Sequence, residues 1–168
     1  MLKEHANTNS SKKAMEDHYQ FFIENIPKHL NIALTWLGKE KFDYSFEEID
    51  AINEVYHNIF QKSQKPGVWY DEHYEVFITY FGETYRKYFL GEWSLNTMKR
   101  TFGYGYPIIT KQGPENYPWT AVDPCDWLSL TEYDNKEPHS QIFYRGVLKY
   151  KNYPEWNFHP LENLKKHL

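Results

Sequence analysis

Glu83 is the carboxylate whose position first suggests chemistry, standing beside a glycine in Phe81-Gly82-Glu83-Thr84, midway along a helical pattern. General acid–base work asks for such a group in a cleft, with a shifted pKa. The bland alternative is a structural ion pair with Lys99 or Arg100 on the segment that follows, and the sequence favours it. Cys125 follows Asp123-Pro124 at an expected helix start, where the helix dipole lowers a thiol pKa. The favoured reading is a small half-buried residue between Val122 and Trp127, with no histidine nearby in sequence to complete a Cys/His pair. Asp126 and the histidines are the remaining groups from which a small enzyme could be built.

The eight histidines (5, 18, 29, 57, 73, 139, 159 and 167) are scattered, and none forms a close metal-type pair. His73 beside Asp71 and Glu72 comes nearest to a cluster; at a helix start these read as solvated charges. The chain carries no phosphate loop, dinucleotide fingerprint or nucleophile elbow. Neither a cofactor nor a metal is expected, and no catalytic residue is assigned.

The elements that must position these groups begin after a polar tail, residues 1–12, and form one domain over residues 13–168. Met15, Tyr19, Phe22, Ile23 and Ile26 recur at helical spacing from about Lys13. Pro27 either kinks this helix or opens its continuation, and Gly38 is the expected left-handed stop. Ser45 with Glu48 makes a capping box ahead of a second helix, running to about Lys62 and pairing with the first as a hairpin.

The strongest pattern is Tyr70–Trp93. Tyr74, Phe77, Ile78, Phe81, Tyr85, Tyr88 and Phe89 form an aromatic stripe, with Asp71, Glu72, Glu75, Thr79, Glu83, Arg86 and Lys87 toward the other side. Glu83 and Lys87 stand at an i,i+4 spacing that favours pairing. Gly82 on the apolar side predicts close approach of another backbone, and Gly91 is the expected C′ residue.

Beyond Gly91 the period shortens to that of strands: Glu92–Leu95, Tyr106–Lys111, Tyr117–Val122 and Gln141–Tyr150. Pro107 and Pro118 belong at strand starts or edges. Asp123-Pro124 opens a short helix, and 161–168 forms a terminal one. The fold expected is α+β, with an N-terminal helical hairpin and a long central helix packed against a small antiparallel sheet of three or four strands.

Composition bounds the function classes. A formal charge of −4 over 168 residues offers no basic footprint for nucleic acid. No apolar run approaches the ~20 residues of a membrane span, and the first residues lack the apolar segment of a secretory signal. One cysteine fits a reducing compartment, so the cytoplasm is expected. The outlier is an aromatic share of 19%, which reads first as core material and second as an exposed aromatic patch. Trp69, Tyr70, Tyr104, Tyr106, Tyr117, Trp119, Tyr133, Tyr153 and Trp156 fall in or beside connections, where Tyr and Trp give large contact area at low entropy cost. Each can be a plug over the sheet; together they suit a protein partner or a glycan.

The run YFGETYRKYFLGEW, with GYGYPIIT and PWTAVDPCDWL after it, resembles small bacterial α+β domains without an assigned activity. Their common pattern is a helix with Y-[LF]-G-E, a G-x-W strand start, a hairpin and a short Pro-started helix, here spanning about residues 70–130. Proteins of this look include suspected immunity proteins of contact-dependent and type VI toxin systems. The resemblance implies a non-enzymatic cytoplasmic module that occludes a basic toxin domain, with Gly82, Glu83, Gly91 and Trp93 holding the fold. No functional residue carries over from it.

Overall fold

The computed structural model describes residues 11–63, 72–99, 104–112 and 121–124. Helix α1 spans Ser11–Leu37, α2 Phe46–Ser63 and α3 Glu72–Phe89; strands β1 (Glu92–Leu95), β2 (Pro107–Thr110) and β3 (Ala121–Val122) follow. The protein is thus mixed helix and strand with an antiparallel sheet. β1 pairs with β2 from Glu92↔Thr110 to Leu95↔Pro107, and Val122 pairs with Ile109 on the other side of β2. The expected strand Gln141–Tyr150, the terminal helix, and most of the segments 117–122 and 123–130 lie outside the described residues.

α1 is one helix of 27 residues with Pro27 inside it. A proline there removes a backbone donor and costs about 3 kcal/mol of helix propensity. Burial offsets this, because Phe22, His29 and Ala33 are enclosed while Pro27 faces solvent. Gly38 terminates the helix as expected. It sits at φ 63°, its N–H donates to the Thr35 carbonyl, and the Lys39 N–H reaches back to the Leu34 carbonyl, the paired bonds of a Schellman stop.

That stop aims Lys39 at the start of α2. Ser45 Oγ accepts the Glu48 N–H at 3.1 Å, as the capping box requires. The return bond differs from the usual pattern: Asp43 takes the Ser45 N–H, so the Glu48 carboxylate reaches past it to the N–H groups of Asp43 and Tyr44. Lys39 Nζ donates to the same carboxylate at 2.7 Å and Tyr80 Oη from α3 at 3.0 Å. The Glu48 side chain is 0% exposed, so this charge ties α1, α2 and α3 together inside the protein.

α3 is the central element, in more extensive contact with α1 than any other pair of elements has. Its aromatic stripe is buried as expected, with Phe77 against Phe81 at 4.4 Å and against Tyr56 of α2 at 4.5 Å. The polar side is narrower than its spacing suggests. Thr79, placed there by the sequence, is fully buried, as are Tyr80 and Thr84. α1 and α2 both pack on α3 and cover flanks that a simple two-faced helix would leave wet. The enclosed hydroxyls are satisfied, Thr84 by the Tyr80 carbonyl and Thr79 by His29. At the C-terminal end the reversal occupies two residues, Leu90 at φ 62° and Gly91 at φ 108°, so left-handed geometry begins one residue before the glycine.

Glu48→Ala leaves two backbone N–H groups and the Tyr80 hydroxyl without their acceptor and Lys39 with Asp43 alone, and breaking a buried pair from one side costs about 3–5 kcal/mol. Tyr80→Phe removes one donor to the charged carboxylate and should cost about 1.5–3 kcal/mol. Urea unfolding of both variants should place them in that order, with Glu48→Ala the more destabilised.

Candidate functional site

Among the described residues Glu83 has two partners, and the Lys99 expected from sequence is neither of them; Arg100 lies outside the described residues. Glu83 Oε1 accepts from Trp93 Nε1 and from Arg86 Nη1, each at 2.6 Å. Arg86 replaces Lys87 as the helical partner; Lys87 instead lies over the Tyr44 ring at 5.5 Å. Arg86 Nε also donates to the Gly91 carbonyl, which fixes the turn leading into β1.

Gly82 explains why an indole can reach Glu83. A Cβ at that position would stand 2.0 Å from Trp93 Cη2, so the close approach is made by a side chain and not by another backbone. Phe22 of α1 meets the same indole edge-on at 5.1 Å. Gly82, Glu83, Arg86 and Trp93 therefore form a joint between α3 and β1 that α1 covers. Its chemistry is hydrogen bonding and packing.

The histidines are where the structure departs furthest from the sequence. His18 and His29 both reach Glu75 in the first turn of α3: His18 Nε2 stands 3.0 Å from Oε1 and His29 Nε2 3.5 Å from Oε2. Their separation of 11 residues is three helical turns, which puts both on one face of α1. That spacing is the signal available in the sequence; Glu75, far along the chain, supplies the missing half. His29 is 2% exposed and its Nδ1 lies 3.1 Å from the Thr79 hydroxyl. His18 is 40% exposed and meets the Tyr106 ring edge-on at 6.3 Å.

The two imidazoles are displaced in opposite directions. The hydrogen bond to Glu75 lifts His18 above the usual imidazole pKa, against partial burial. Burial pushes His29 below it, and the Glu75 charge only partly opposes this. A carboxylate that orients a partly exposed imidazole is the arrangement from which proton transfer near neutral pH is built. Among the described residues, no group of three or more His, Cys, Asp or Glu could hold a metal ion.

Of the aromatic set expected to contact a partner, Tyr104 and Tyr106 are described and both are half-buried. Tyr106 packs against the core, and a Cβ on neighbouring Gly105 would press on Met15 Sδ at 2.7 Å, so this end of the hairpin sits on α1. Trp69, Tyr70, Tyr117, Trp119, Tyr133, Tyr153 and Trp156 lie outside the described residues, as do Cys125, Asp126 and Asp71. His73 stacks on Trp36 at 5.9 Å, so it is not simply a solvated charge. Among the described residues, the large hydrophobic side chains that stand exposed are Phe21 at 54%, Leu90 at 61% and Met98 at 52%. No described helix is long and apolar enough to cross a membrane.

The joint generates a direct test. Gly82→Ala must displace an indole held by Glu83 and Phe22, an overpacking cost of about 3 kcal/mol, and should red-shift tryptophan fluorescence. Glu83→Gln keeps an acceptor for the indole N–H and should cost only about 1 kcal/mol by thermal melting. No protein-family model, curated protein or solved structure matches the chain.

Proposed function

We propose that this chain is a non-catalytic protein-binding module, of the immunity type, that occludes a basic toxin domain in the cytoplasm. The observation that carries the reading is the outer face of α1. Phe21 stands 54% exposed there, with exposed Asp17 and Glu24 at i−4 and i+3 and exposed Gln20 beside it. An aromatic anchor ringed by carboxylates suits a partner with an apolar recess and a basic rim. The exposed Glu47 and Glu54 of α2 and the net charge of −4 add a field that speeds encounter with such a partner. The resemblance of residues 70–130 to domains that include suspected immunity proteins points the same way. In this reading the sheet is completed to three or four strands, and Trp69, Tyr117, Trp119, Tyr133 and Trp156 extend the contact surface together with Tyr104 and Tyr106.

A second reading has one observation in its favour, the His18–Glu75 pair, which could serve a small enzyme between α1, the central helix and the hairpin. The two readings separate cleanly. The binding reading expects a large multidomain toxin to be encoded beside this chain, and co-expression with it should rescue growth and yield a stoichiometric complex. Phe21→Asp and Glu24→Lys should each weaken the complex by about tenfold or more in calorimetry, while His18→Gln leaves affinity unchanged at neutral pH. Absence of a complex, or a complex indifferent to both α1 substitutions, overturns the binding reading.

A further inference from the structure

We infer that His18, His29 and Glu75 form a pH-sensitive latch between α1 and α3, closed by one proton and opened by a second. The latch stands on the geometry of the α1–α3 seam, whether or not the outer face of α1 docks a partner. Both imidazoles project from one face of α1 toward a single carboxylate on α3, each within 3.5 Å of one of its oxygens. With no proton added, the trio carries one negative charge. With a proton on His18 it is neutral and held by a charge-assisted bond. With a proton on each ring it carries a net positive charge, part of it on a side chain only 2% exposed.

The groups facing the two imidazoles are of both signs. Among the described residues they are Lys28 on α1, Glu72 and Glu75 on α3, and Tyr106 at the entry to β2. Lys28 and Glu72 are bonded to each other, and their charges act on His29 in opposite directions. Glu75 is the charge among them that stands against both rings, and one carboxylate cannot neutralise two imidazolium ions.

Thr79 makes the second proton harder to place. In neutral His29 the hydrogen belongs on Nε2, which faces a carboxylate, so Nδ1 accepts from the Thr79 hydroxyl. Protonation turns Nδ1 into a donor, and that hydroxyl must rotate to present its oxygen inside a fully buried site. Phe22 packs on His29 at 6.1 Å and on Trp93 at 5.1 Å, so loosening this seam also uncovers the α3–β1 joint.

The sign of each contribution follows from the direction of its displacement. His18 is raised in the folded chain; its stabilisation is complete below the unfolded value of about 6.5 and is lost as pH rises through the higher folded value. His29 is lowered; its contribution is complete above about 6.5 and is lost as pH falls toward the lower folded value. Stability of the seam should therefore peak near neutrality, with the acid limb belonging to His29 and the alkaline limb to His18.

The test is an imidazole titration by NMR in the full wild-type chain, with through-bond assignment, beside melting temperatures from about pH 5 to 8.5. His18 should titrate above about 6.5 and His29 below it. His29→Gln should remove about half or more of the acid-side fall in melting temperature and keep the alkaline one; His18→Gln should do the reverse. Glu75→Gln should return His18 to about 6.5 or lower. If the two wild-type imidazoles titrate together near the ordinary value, or if His29→Gln melts with the full acid-side fall, the latch is overturned. Should any variant fail to fold, the wild-type titration decides alone.

Discussion

The fold depends on a buried carboxylate. Glu48 sits out of water at the start of α2, a position that costs several kcal/mol for an unpaired ion. It is tolerated because Lys39, two backbone N–H groups and the Tyr80 hydroxyl converge on it. Bonds to a charged group contribute about 1.5–3 kcal/mol each, so attraction and desolvation are of similar size. Such a node adds little net stability and a great deal of geometric constraint, because every donor must arrive together. The connection between α1 and α2 shows the constraint at work. Tyr44 is held at φ 56°, a left-handed geometry that non-glycine residues avoid, yet its N–H is bound to Glu48 and its carbonyl accepts the Tyr88 hydroxyl at 2.6 Å. The same charges act outward. Burial and the Glu48 carboxylate together push the Tyr80 phenol well above its ordinary pKa. Asp43 pays a desolvation cost yet ends well below the usual carboxylate range, because Lys39 and Ser45 hydrogen-bond to it.

Around that node the aromatic residues solve a packing problem. α3 is in contact with both other helices and with the sheet, so it needs bulk on nearly every side. Tyr and Phe supply the bulk, and the tyrosines bring a hydroxyl that can find a partner, as Tyr80 and Tyr88 do. The high aromatic share is, over the described residues of α3, core material. Glycine then appears where a large ring must come closest: Gly82 is the space into which the Trp93 indole fits.

Local signals were legible in the sequence and long-range charge partners were not. The Gly38 stop, the Ser45–Glu48 cap, the aromatic stripe of α3 and the β1–β2 ladder all follow from spacing within a few residues. Glu83 was identifiable as a carboxylate in need of a partner, but its choice of Trp93 and Arg86 depends on where a turn at Leu90-Gly91 delivers β1. Thr79 was misplaced because amphipathic periodicity assumes one buried face, and α3 has neighbours on several. The histidine cluster was missed for a related reason. His18 and His29 share a helical face, which their spacing shows, whereas Glu75 joins them only once α3 is laid along α1.

These placements also narrow where chemistry can reside. A carboxylate whose oxygens already accept hydrogen bonds from the fold has its geometry committed to structure. Glu48 and Glu83 are both in that condition. Glu75 differs, because its partners are imidazoles that can themselves gain or lose a proton near neutral pH. Protonation at this seam changes which hydrogen bonds join α1 to α3. The inner face of α1 is therefore the part of the described structure whose hydrogen bonds are set by solution conditions, while the outer face of the same helix presents Phe21 and its acidic neighbours.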